Sequence, residues 1–162
     1  MNIELVLTNL SELMVLLYLV IASYQDIKTY MLSTKLSLCF AVLFIVLTFL
    51  WHYHSSALAT TAIAESGCAI ITGLIPGIAI ILLAYFTHQK IGYGDGILIS
   101  IIGIALGFRD TFIVCIISFA ASAIVAAFII LRAKLRRAHV KQTLPFIPFV
   151  LIGYIIFERS IL

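Results

Sequence analysis

Apolar runs fill so much of this chain that they decide its solvent. Leu5 to Gln25, Leu36 to Trp51, Gly67 to Thr87, Ile91 to Gly107, Thr111 to Leu131 and Leu144 to Phe157 are six stretches nearly free of charge. A helix needs roughly 20 apolar residues to cross a bilayer, and about 17 at the least. Hydrophobic residues make up 64% of the sequence and charged residues 10%, whereas soluble domains carry about 25% charged residues. With a mean hydropathy of +1.23, a water-soluble fold of 162 residues could not hide its apolar surface. The expected architecture is therefore all-α: a polytopic transmembrane helical bundle of about six helices, forming one integral-membrane domain over residues 1–162. The Met1-Asn2-Ile3-Glu4 start lacks a basic n-region, so the first run is expected to be a retained span. The second, fourth and sixth runs are short. The fourth crosses only by using nearly everything between Lys90 and Arg109, which sets Asp95 about one helical turn inside the membrane boundary.

Charge predicts the orientation. The segments after the first, third and fifth runs hold Lys28, Lys35, Lys90, Arg132, Lys134, Arg136, Arg137 and Lys141, while the opposite side holds Arg109 and Arg159. Cytoplasmic loops are the ones enriched in Lys and Arg. The termini are thus expected outside, with three basic loops in the cytoplasm. Asp26, at the end of the first run, and Asp95, at the start of the fourth, fall on the same cytoplasmic face, although neither entered the count.

Each of these carboxylates has a plain reading when taken alone. Asp26 would be a solvated flank beside Lys28. Asp95 would cap the start of its helix, where free N–H groups favour a carboxylate. Taken together they suggest acid/base work on a peptide, because Asp is costly to hold beside hydrocarbon. In Gly92-Tyr93-Gly94-Asp95 the two glycines leave the backbone bare, so an extended segment could approach Asp95. Tyr93 would line that path or anchor the interface. Of the other acids, Glu4, Glu65, Asp110 and Glu158 fall near the outer face or the termini, and Glu12 falls within the first span, where it needs a partner or an aqueous pocket. His88 and His139 sit in basic segments with no motif around them. Cys39, Cys68 and Cys115 lie in apolar runs without metal-ligand spacing and read as small buried apolar side chains. Trp51, His52, Tyr53 and His54 read as an aromatic belt. Gly73 and Gly77, with Pro76 between them, read as a close helix crossing with a kink. No metal site, cofactor or nucleic-acid partner is expected.

The pattern resembles the type IV prepilin peptidases, bacterial membrane aspartic proteases of the Gly-x-Gly-Asp class. Asp26, in Tyr24-Gln25-Asp26-Ile27-Lys28, matches the first catalytic Asp of that family, and Asp95 matches the second. Leu144-Pro145-Phe146-Ile147-Pro148-Phe149, followed by Gly153, resembles the segment that opens the family's last helix, which makes Pro145, Pro148 and Gly153 family-matching structural positions. Two departures stand out. Leu32-Ser33-Thr34 occupies the place of an Ile-Pro-Asn-like stretch, and Ile97 stands where many members have Lys. The paired cysteines of the larger, methylating members are missing, so the likeness is to the short, peptidase-only form that serves Flp/tight-adherence pili.

The resemblance implies cleavage of the basic leader of a prepilin or pilin-like precursor at the cytoplasmic face of a prokaryotic cytoplasmic membrane, with the precursor's apolar helix in the bilayer. Two carboxylates at short range share one proton. One takes a proton from the attacking water and the other protonates the leaving amine, and the sequence does not say which does which. The alternatives from other classes are a small ion- or proton-coupled transporter or its accessory subunit, and a non-catalytic membrane subunit.

Overall fold

The structure, a computed structural model, describes residues 3–29, 31–55, 59–87, 92–136 and 145–161. Every element among them is a helix: α1 (Ile3–Thr29), α2 (Thr34–Ser55), α3 (Ala59–Phe86), α4 (Tyr93–Arg136) and α5 (Ile147–Ile161). This follows from the solvent, since a helix satisfies its own backbone groups where water cannot. The first four helices are each long and apolar enough to cross a membrane. The six expected runs thus become five helices, because the fourth and fifth join in α4. The last helix has 15 residues, about 22 Å of rise against a hydrocarbon core of about 30 Å.

α4 is not a straight rod. Its 44 residues would extend about 66 Å, twice the hydrocarbon thickness. Gly107 interrupts it with φ 78° and ψ 176°, a conformation that is essentially glycine's alone. The sequence places a boundary here and suggests a connection carrying Arg109 and Asp110. In the structure both residues are helical and open the second segment of α4. α3 likewise begins at Ala59 rather than Gly67. Ala62, Ala64 and Glu65 are strong helix formers, so the helix extends beyond the purely apolar stretch.

The helices are held by close packing and a few polar contacts, as expected where lipid removes the hydrophobic drive between helices. α3 and the first segment of α4 run antiparallel along a stripe of small residues. A Cβ placed on Gly73 would overlap the carbonyl oxygen of Gly103, and one on Gly77 would overlap the Ser100 side chain. At Gly96 a Cβ would stand 3.0 Å from the Ile81 amide nitrogen and 3.1 Å from the Gly77 carbonyl oxygen. Only glycines allow backbones this near. α1 and α2 meet through aromatic rings instead. The Tyr18 ring lies 4.8 Å from Phe40 and 6.3 Å from Phe44, and its hydroxyl donates to Ser37 Oγ at 3.2 Å. α5 lies antiparallel to α1: its start meets Asp26, and Tyr154 donates to the Glu12 carbonyl at 3.2 Å. Gly153 presses against Ser118 on the second segment of α4, and the Phe146 ring packs on Phe119 at 4.8 Å.

The outer surface is apolar. Ile71, Phe86, Ile124 and Phe128 are all exposed, and a surface of this kind asks for lipid. Cys39 and Cys68 share it, contrary to the expectation of three buried thiols; Cys115 alone is buried. Apolar character fits a lipid-facing position as well as a core one, so composition alone could not separate the two.

Candidate functional site

Asp26 sits in the last turn of α1 and Asp95 in the first turn of α4. Three local features bring these distant positions to one end of the bundle. First, the turn between α1 and α2 is tight and tied back on itself. The Ser33 amide donates to Gln25 Oε1 at 3.3 Å, the Thr29 hydroxyl donates to the Gln25 carbonyl at 2.8 Å, and the Met31 amide donates to Thr29 Oγ1 at 3.3 Å. Second, this turn packs on the start of α4: the Leu32 Cβ is 3.6 Å from where a Cβ on Gly94 would stand. Third, the glycine stripe fixes the first segment of α4 against α3, so the Asp95 end has a defined height in the bundle.

Asp26 is buried, with 8% of its surface exposed. That overturns the reading of a solvated flank. Lys28 does not pair with it; the ammonium lies 5.9 Å from the centroid of the Tyr24 ring. The Asp26 Oδ2 accepts a hydrogen bond from the Ile147 amide at 3.1 Å, so the carboxylate reaches across to the first turn of α5. Asp95 is half-buried. Its own amide donates to the Gly92 carbonyl at 3.2 Å, which makes the Gly92–Asp95 segment a turn leading into the helix. The Asp95 Oδ2 is 3.2 Å from the position a Gly92 Cβ would take, so a side chain at residue 92 would crowd the carboxylate. The two carboxylates are near enough for the charge of Asp26 to act directly on Asp95.

The remaining positions singled out from sequence divide as follows. Gly92 is exposed, and Tyr93 and Gly94 are half-buried. Pro145 and Phe146 lead into α5 beside Asp26, and Pro148 lies in its first turn. Gly153 sits farther along α5, where a side chain would strike Ser118. The Tyr154 hydroxyl lies 3.2 Å from the Glu12 backbone carbonyl and 2.9 Å from Glu158 Oε1, contacts that do not reach the Glu12 carboxyl; Glu12 lines a pocket together with Glu158 and Arg159. His88, His139, Lys90 and Ile91 lie outside the described residues. Among the described residues no group of three or more His, Cys, Asp or Glu side chains gathers as a metal site would require. A cavity of about 420 Å³ lies at the far end of the bundle, around Thr48, His52 and Asp110, and is lined by neither Asp26 nor Asp95.

Sequence reading missed two contributors. Gly96, Ser100 and Gly103 complete the crossing that seats Asp95, and their one-face spacing of small residues was a legible signal. The Ile147 amide is the other. A backbone donor leaves no mark in residue identity, although the prolines around it do.

One comparison bears on these aspartates. The model of the type IV leader peptidase family matches residues 13–131, a range that contains both of them and ends before Pro145. No curated protein and no solved structure matches the chain.

Proposed function

We propose that this chain, which belongs to the type IV leader peptidase family, is an aspartic endopeptidase with Asp26 and Asp95 as its catalytic pair. Its substrate in this reading is a type IV prepilin or pilin-like precursor, as in Flp/tight-adherence pili. The basic leader is removed at the cytoplasmic face of the cytoplasmic membrane. The observation that supports the reading is that a buried Asp26 and a half-buried Asp95, from distant stretches, lie at one end of an apolar bundle within range of each other's charge.

The chemistry follows from that proximity. Two carboxylates within each other's field do not both ionise, so the pair holds one proton between them. The ionised member draws a proton from a water molecule, whose oxygen adds to the scissile carbonyl. The protonated member donates a hydrogen bond to the developing oxyanion. As the tetrahedral adduct collapses, the C–N bond breaks and the leaving amine takes up a proton from the pair. No metal or cofactor enters this scheme. The turn at Gly92 and the half-buried Gly94 give an extended peptide a way to the Asp95 carboxylate, with the precursor's apolar helix lying in the bilayer against the bundle.

The test is cleavage of pilin-like precursors from the same genome by the purified protein in lipid vesicles. Asp26→Asn and Asp95→Asn should each abolish cleavage while expression and precursor binding persist. Full cleavage by either variant would refute the assignment of the pair. Loss of an ion flux in place of cleavage would favour a transporter.

A further inference from the structure

The first turn of a helix ordinarily presents several amide donors with no partner inside the helix. In α5 they are nearly all removed or occupied. Pro148 has no N–H. The Phe149 and Val150 amides both donate to the Phe146 carbonyl, at 2.9 Å and 3.3 Å. That leaves the Ile147 amide as the remaining donor of the turn, and it is directed at Asp26 Oδ2. The helix that offers it is held from behind. Gly153 abuts Ser118 and Phe146 packs on Phe119, so α5 cannot shift along α4 without opening both contacts. The Ile147 side chain is itself buried.

We propose that the Ile147 amide is a positioning group for the Asp26–Asp95 pair: it commits Oδ2 of Asp26 and thereby fixes the orientation in which its other oxygen meets Asp95 and the attacking water. This rests on the peptidase reading above. It also gives the Pro-Phe-Ile-Pro-Phe segment a purpose beyond opening a helix. The proline at 148 removes a competing donor, and the turn at Phe146 absorbs the next two. A single backbone donor is thus reserved for a single carboxylate oxygen. Such a donor does not touch the peptide, so its removal acts on turnover rather than on precursor binding.

The experiment removes the N–H without removing the helix. Ile147→Pro deletes the donor at a first-turn position where proline is tolerated. Incorporating the α-hydroxy analogue of isoleucine at 147 replaces the amide by an ester, which deletes only the N–H and keeps the side chain. Ile147→Ala keeps the N–H and deletes most of the side chain. Wild type, Asp26→Asn and the three variants are assayed together in vesicles on a pilin-like precursor, with rates normalised to folded protein. Loss of a hydrogen bond to a charged acceptor predicts a fall in kcat of roughly ten- to a hundredfold for the proline and ester forms, with KM unchanged. Ile147→Ala, which keeps the donor but loosens a buried contact, should lose less kcat than the ester form. If the ester form keeps wild-type kcat, or if Ile147→Ala loses as much as it does, the positioning role is overturned. An active Asp26→Asn in the same series would instead bring down the peptidase reading itself, so the two failures are distinguishable.

Discussion

The crossing of α3 and α4 allows a matched pair of substitutions to be predicted with opposite signs. Gly73 and Gly67 lie in the same helix, and Ala replaces Gly in both cases. A Cβ on Gly73 would overlap the Gly103 carbonyl oxygen and stand 2.7 Å from its carbon and 3.3 Å from the Ile104 nitrogen, where ordinary contact begins at 3.4 Å. All three neighbours are backbone, so no side chain can turn aside and the helices must separate. A gap of about 0.5–1 Å already forfeits a quarter to a half of the dispersion attraction at each contact. Overpacking of this kind costs about 1–3 kcal/mol. The alanine recovers about 0.5–1 kcal/mol of helix propensity, leaving Gly73→Ala destabilising by up to about 2.5 kcal/mol. A Cβ on Gly67 meets nothing within 4 Å, so Gly67→Ala retains only the gain. Both variants share the propensity gain, so they differ by the overpacking alone and should melt apart by about 2–12 °C when thermal unfolding is followed by circular dichroism in one detergent. Coincident melting curves would refute the claim that backbone contact at this crossing governs stability.

Two further substitutions test single features. Gly107→Ala and Gly107→Asn should both destabilise the protein, each by more than about 1 kcal/mol. Asn should give no relief, because its tolerance is for the left-handed helical region and not for φ 78° with ψ 176°; thermal melts of the two variants side by side decide this. The Thr111 hydroxyl is fully buried and has no hydrogen-bond partner. Thr111→Val keeps the shape and removes an unsatisfied group, so it should be neutral or stabilising by up to about 1 kcal/mol. A clear loss of stability in the same melts would contradict that.

Much of the fold was legible because a bilayer leaves few choices. The apolar runs predict the helices, and Gly73 with Gly77 predicts a close crossing that the structure contains. What could not be read was how the runs connect. Arg109 and Asp110 look like a loop in one dimension, yet a helix can carry both, and a single glycine conformation suffices to break α4. The aspartates show the same limit. Their types and positions marked them out, but residue identity did not distinguish an Asp26 bathed in water from one buried against α5. The outcome turned on where another helix ends, which is a property of packing. The glycines of Gly92-Tyr93-Gly94 illustrate the reverse case. Gly94 has room for a side chain in ordinary contact with Leu32, whereas Gly96, which drew no notice, has none to spare.

The break at Gly107 joins two halves with different charges in the molecule. One half carries Asp95 and is clamped to α3; the other supports α5, and through it Asp26. The joint is about 18 Å from Asp95 along the first half. A swing of about 5° there would carry that carboxylate about 1.5 Å relative to its counterpart, a distance on the scale at which misplaced groups stop reacting. The angle that Gly107 holds at the far rim of the bundle therefore bears on where Asp95 stands relative to Asp26.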